Sequence, residues 1–193
     1  MADDAERGLS EFGQSIARAL ARAVVTSAEV ELPGAAALNL AVAMVQAVSA
    51  AAGTIFFVGN GGSAAIASHC AADYAKNGGF KALALHDPAA LTCFANDLGY
   101  DQVFSRQLLL HGRPGDLLFA ISSSGQSANI LGAAHAARER SMQVITLSGF
   151  DRDNPLRAMG VLNYYVPCNA YGVVEIVHLA ICHAVLDRSM GNW

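Results

Sequence analysis

From Leu9 to about Ser27 the apolar residues Leu9, Phe12, Ile16, Leu20 and Val24 recur at helical spacing, with Arg18 and Arg22 on another face. That pattern predicts an amphipathic first helix. After Pro33-Gly34, Ala35 to Ala52 places Leu38, Ala41, Val42, Val45 and Val48 on one stripe and Leu40, Met44 and Ala47 on a second. A helix apolar on every side is buried, in a core or between subunits. From Gly53 onward the pattern becomes strand, turn, helix. Thr54–Val58, Lys81–Leu85, Asp116–Ile121, Gln143–Leu147 and Asn163–Val166 are short apolar runs. Helical stretches at about Ala64–Lys76, Pro88–Asn96, Ser127–Arg140 and Gly172–Asp187 lie between or after them. Apolar runs that do not alternate, interleaved with helices, predict a parallel sheet covered on both faces. The expected organisation is one α/β unit over residues 1–193, with oligomerisation helices in 1–52 and the α/β core in 53–193.

Composition narrows the classes. Of 193 residues, 53% are hydrophobic and 15% charged, against about 25% charged in ordinary soluble domains. No Asp, Glu, Lys or Arg occurs from Leu32 to Ala72. The stretch is a poor membrane span, because Asn39, Gln46, Ser49 and many alanines dilute it before it runs into a glycine turn. The amino terminus, Met-Ala-Asp-Asp-Ala-Glu, lacks the positive region of a secretory signal. A net charge of −4 and the lack of a Lys/Arg cluster argue against nucleic acid. Cys70, Cys93, Cys168 and Cys182 form no C-x-x-C pair, so reduced thiols and a cytoplasmic location are expected.

Two loops follow predicted strands, where open parallel sheets bind ligands. Gly59-Asn60-Gly61-Gly62-Ser63 lets the backbone approach a ligand and opens a helix with free N–H groups. Ser122-Ser123-Ser124-Gly125-Gln126-Ser127 offers four hydroxyls and backbone N–H groups at another helix start, able to hold a phosphate without a cation. Each has a plainer reading, as a tight turn or a capped helix start. Gly59-x-Gly61-x-x-Ala64 also fits the dinucleotide fingerprint, with Asp87 near the ribose-binding position. A second cradle on a later strand argues instead for a phosphorylated small molecule. The serine loop lacks the Gly-Lys-Ser/Thr of a Walker A loop, and Ile121 stands where a nucleophile elbow needs glycine.

His69 and Asp73 are four apart on the helix leaving the glycine loop, hence on one face. Glu175, His178, Cys182 and His183 fall within nine residues of the last helix, among Val, Ile, Leu and Ala. Buried ionisable groups need partners. Singly, Asp73 reads as solvated, His178 as a core histidine and Cys182 as a small hydrophobe. Jointly, His69, Asp73, Glu175 and His183 have ligand types for a divalent metal such as zinc, or for acid–base work. Glu175 and His183 are eight residues apart, about 12 Å and 80° on a straight helix. One shared site would need converging side chains, a bend or a neighbouring subunit.

Gly59–Ala64, His69-x-x-x-Asp73, Asn96-Asp97-x-Gly-Tyr100, Phe104-Ser-Arg106, Ile121–Asn129 and Glu175-x-x-His178-x-x-x-x-His183 together resemble the sugar isomerase (SIS) domain family, and within it the phosphoheptose isomerase group. The resemblance runs from the N-terminal helices to Asp187. It implies a flavodoxin-like three-layer sandwich with a five-stranded parallel sheet, a homotetramer with interfacial active sites, and isomerisation of sedoheptulose 7-phosphate to D-glycero-D-manno-heptose 7-phosphate through an enediol(ate). By position, Ser122, Ser123, Ser124 and Ser127 would hold phosphate, and Asn60, Gly61, Gly62, Asn96 and Asp97 would line the sugar site. His69, Asp73, Glu175 and His183 fall on metal positions, implying one zinc per subunit, with Asp73, Glu175 and His183 also catalytic. The family has Glu at Asp73 and Gln at Glu175, so either carboxylate could be the base. The rivals are a non-catalytic SIS module that binds a sugar phosphate or a protein and, more distantly, a nicotinamide-dependent oxidoreductase.

Overall fold

The structure, a computed structural model, describes residues 8–192. Helix α1 spans Leu9–Ala21, its start tied by the Gly8 N–H donating to Glu11 Oε2 at 2.8 Å. It stops short of Ser27. Val24–Ser27 (β1) and Val30–Leu32 (β2) form an antiparallel hairpin, and β1 also pairs antiparallel with Leu162–Val166 (β7). Val24 fits the helical stripe, but the β-branched run Val24-Val25-Thr26 suits an extended pleat. The edge of β7 supplies the partner that local propensity lacks. At the two-residue turn Ala28 and Glu29 both take positive φ, 46° and 67°, as a turn matched to strand twist requires.

The five remaining strands are parallel to one another: Ile55–Val58 (β3), Ala82–Ala84 (β4), Leu117–Ser122 (β5), Gln143–Gly149 (β6) and β7. Among the described residues the sheet thus has seven strands, in the order β2-β1-β7-β6-β5-β3-β4. The expected parallel five are its centre; the hairpin is the addition. Ile55 and Phe57 point into one apolar layer, Phe56 and Val58 into the other, because successive strand residues face opposite ways. The first layer is covered by α1, α2 (Gly34–Ala50), α3 (Gly62–Lys76) and α7 (Tyr171–Ser189). The second is covered by α4 (Pro88–Leu98), α5 (Ser105–His111) and α6 (Ala128–Glu139). This is a three-layer α/β sandwich. Helix α2 turns Ala37, Ala41, Val42, Met44, Val45 and Val48 into the chain's own core and leaves Ala36, Asn39, Ala43 and Gln46 exposed.

His178, on α7, is fully buried; its Nε2 lies 3.1 Å from the Ser148 carbonyl oxygen. Burial lowers its pKa from 6.5 to about 4, and the bond to Ser148 opposes that only in part. The unfolded chain therefore binds the proton first, so stability present above pH 6.5 is lost as pH falls toward 4. By pH 4.5 the loss reaches roughly 2.5 kcal/mol. Denaturant unfolding of the metal-free protein at pH 7.5 and 4.5 should show this loss, and His178→Leu should show a shallower one. Parallel pH profiles would refute it.

Candidate active site

β3 and β5 are adjacent and parallel, Val58 beside Ala120, so the loops leaving them lie side by side. Gly61 adopts φ +54°, and a side chain at Gly62 would run into the Glu175 carboxylate. The His86 ring bonds the Gly59 carbonyl oxygen through Nε2 at 2.8 Å. Asn60 and Asn129 exchange amide hydrogen bonds at 2.8 and 2.9 Å, and the Tyr100 hydroxyl donates to Asn60 Oδ1 at 3.1 Å. The two loops are thereby fastened together.

Between them is a cavity of about 240 Å³ lined by Asn60–Ser63, Ser122–Ser124, Ser127, Tyr171 and Glu175. No lining residue is Lys or Arg. Ser123 Oγ is buried and has no partner among the described residues, a condition that a ligand would relieve. Ser127 stands at the N-cap of α6, yet its hydroxyl makes no cap bond and lies 3.4 Å from Ser122 Oγ. That favours a ligand cradle over a capped helix start. Two helix N-termini, those of α3 and α6, supply the positive end that an anion needs. Asp87, the residue the dinucleotide reading requires, instead caps α4 by accepting from the Ala90 N–H at 2.9 Å.

Farther along α3, His69 Nε2 lies 3.3 Å from Asp73 Oδ2 and 3.3 Å from His183 Nε2 on α7. His183 Nδ1 is 3.9 Å from Asp73 Oδ2. Four ligands held at about 2.05 Å in a tetrahedron are about 3.3 Å apart. The donor chemistry and two of the separations in this half-open group therefore fit a zinc-like ion. Glu175 is not in the group; it lies in the cavity, eight residues up α7. Asn96 and Asp97 are exposed, bonded to each other at 2.7 Å, and do not line the cavity. Cys182 is also set apart: its hydrogen bond with Cys70 and its burial push its pKa up, which fits a small core residue.

Sequence reasoning gave no role to Ser63, Tyr171, Asn129 or Tyr100. Tyr171 lies four residues before Glu175 and hence on the same helix face, but the helix predicted from about Gly172 begins one residue after it. Asn129 was not legible, because its partner Asn60 is 69 residues away.

Residues 12–149 match the SIS domain family model. The chain belongs to that family. A phosphoheptose isomerase from Thiobacillus denitrificans is 43% identical over 143 residues, 70% of this chain and 73% of the relative. One from Rhodospirillum rubrum is 41% identical over 153 residues, 76% and 81% of the two chains. The structure of phosphoheptose isomerase from Neisseria gonorrhoeae matches with a TM-score of 0.79 and 35% identity, covering 93% of this chain and 96% of that one. Within the SIS family the chain thus falls in the phosphoheptose isomerase group. The family match holds both loops, His69 and Asp73 but ends before α7; the structural match extends the likeness over most of the chain.

Proposed function

We propose that this SIS protein isomerises sedoheptulose 7-phosphate to D-glycero-D-manno-heptose 7-phosphate. The observation that carries the reading is the joining, by α3 and α7, of a cation-free cradle to a His/Asp/His group. His69 lies seven residues past Gly62 on α3, about 10 Å along the axis. The carbonyl carbon and phosphorus of an extended heptulose 7-phosphate are seven bonds apart, about 8 Å at the spacing of an extended chain. Ser122, Ser123, Ser124 and Ser127 hold the phosphate, with the N–H groups that open α3 and α6. Asn60, Gly61 and Gly62 border the sugar, and Asn96 and Asp97 reach sugar from an exposed position that a neighbouring subunit can approach. Asp73 moves the proton between the two carbons, and His183 serves their oxygens as acid and base. Glu175, placed in the cavity, faces the sugar hydroxyls.

His69, Asp73 and His183 are the residues that would hold a metal, one zinc per subunit, with Glu175 as a more distant fourth candidate. When bound, such an ion polarises a carbonyl oxygen. Leu9, Phe12 and Tyr171 are exposed on α1 and α7, apolar surface that a homotetramer would bury between copies. No helix among the described residues is long and apolar enough to cross a membrane.

Incubation with sedoheptulose 7-phosphate in deuterated water should yield an aldose product, or solvent deuterium at the carbon beside the carbonyl. Neither signal, with and without added zinc, would overturn the assignment.

A further inference from the structure

The serine loop has little support of its own. Within it, the Gly125 N–H donates to the Ser122 carbonyl and hydroxyl oxygens, both at 3.1 Å, and the Gln126 N–H donates to Ser124 Oγ at 3.2 Å. Besides the Asn60–Asn129 pair next to it, the loop's support comes from the segment after β6. The Leu156 N–H donates to the Gly125 carbonyl oxygen at 3.2 Å. The Asn154 amide lies directly on Gly125, where any side chain would collide with it, and Gly125 itself is at φ +63°. Asn154 is 3% exposed. Its Nδ2 donates to the Asp151 carbonyl at 2.7 Å and lies 3.2 Å from Ser148 Oγ and 3.3 Å from the Gly149 carbonyl. Its Oδ1 accepts from the Arg157 N–H at 3.2 Å. The Ser148 carbonyl is in turn bonded by His178.

Asn154 thus hydrogen-bonds the end of β6 and packs on the turn of the serine loop, yet it does not line the cavity. We propose that Asn154 is a positioning residue for the phosphate cradle, holding Gly125 so that the Ser122–Ser127 hydroxyls and N–H groups converge on one anion. Its ligand class, a sugar phosphate monoester, rests on the function proposed above. A shape-compatible change shows why the amide is needed. Aspartate would place an acceptor against the carbonyls of Gly149 and Asp151 and the Ser148 hydroxyl, which now face a donor.

Asn154→Ala and Asn154→Asp should each raise KM for sedoheptulose 7-phosphate about tenfold, as when a loosened loop loses the equivalent of one of its hydrogen bonds to the phosphate. In both, kcat should stay within about threefold and metal content should be unchanged, since the reacting end is remote. Amide exchange should quicken in the peptide holding Ser122–Ser127 and not in those of α3. Gly125→Ala should raise KM sharply alone, and somewhat less in the Asn154→Ala background, because the collision with the amide is gone while the contact with the Cβ of residue 154 and the positive φ at 125 remain. A KM unchanged in both variants, or exchange quickened equally in α3 and α7, would overturn the proposal, since a merely structural role predicts those results. Exchange is read without substrate. A wild-type protein inactive on the sugar phosphate would therefore count against the function proposed above, whereas unchanged exchange in Ser122–Ser127 counts against the role of Asn154.

Discussion

Asp73→Asn is expected to lower kcat on sedoheptulose 7-phosphate by at least ~10³-fold, the scale of losing a positioned general base, and to leave the purified protein without stoichiometric metal. The substitution keeps the shape of the side chain and removes its charge. Asp73 Oδ2 is the anionic member of a group whose other two ligand atoms are neutral imidazole nitrogens when metal is bound; it lies 3.3 Å from His69 Nε2 and 3.9 Å from His183 Nδ1. Its other oxygen accepts from Asn77 Nδ2 at 3.3 Å, so an amide at 73 would also place a donor against a donor unless it flipped. Asp73→Glu, the residue the family resemblance puts at this position, is the informative companion. It should retain metal and a substantial part of kcat, because the carboxylate is kept and the partly exposed side chain, beside the half-exposed His69, can shift toward solvent to take one more methylene. Elemental analysis and initial rates on the same preparations decide the matter. Stoichiometric metal together with more than a tenth of wild-type kcat in Asp73→Asn would contradict the assigned role.

The second large effect is on binding. Removing both hydroxyls in Ser122→Ala/Ser127→Ala should raise KM by about 10²-fold or more, since each hydrogen bond to a charged phosphate contributes about 1.5–3 kcal/mol. Competitive inhibition by inorganic phosphate should weaken in parallel. Metal content should not change, because the His/Asp/His group lies elsewhere on α3 and α7. The two hydroxyls are 3.4 Å apart across the mouth of the loop, close enough to share one phosphate. No lysine or arginine lines the cavity to compensate. A KM within threefold of wild type, by steady-state rates at fixed ionic strength, would show that the phosphate is held elsewhere.

The parts of this architecture legible in the sequence are those whose chemistry is local. The glycine and serine loops announce themselves because the residue types needed for backbone approach and hydroxyl donation occur consecutively after apolar runs. The parallel core is legible for the same reason. The hairpin at Val24–Leu32 is not, since Val24 extends the stripe of α1 and the turn uses Ala28 and Glu29 in place of the Gly or Asn that would have marked it. His69, Asp73 and His183 could be grouped by ligand type, but only the packing of α3 against α7 brings residues 114 positions apart to 3.3 Å. The same packing separates Glu175 from them, as the axial rise over eight helical residues already implied. In the stretch without charges, Leu32 to Ala72, one face of α2 and all of β3 are core, the opening turn of α3 faces the cavity through backbone dipoles, and the outer face of α2 is exposed with Asn39 and Gln46 among its polar residues.

In the proposed function one substrate spans from the serine loop to the His/Asp/His group. A crystal structure with sedoheptulose 7-phosphate bound tests it most directly. The phosphate is expected among Ser122, Ser123, Ser124 and Ser127, with the carbonyl end beside Asp73 and His183. Phosphate bound instead at the larger surface cleft beside Arg152 and Arg157, or a carbonyl end resting on Glu175 and away from Asp73, would contradict it.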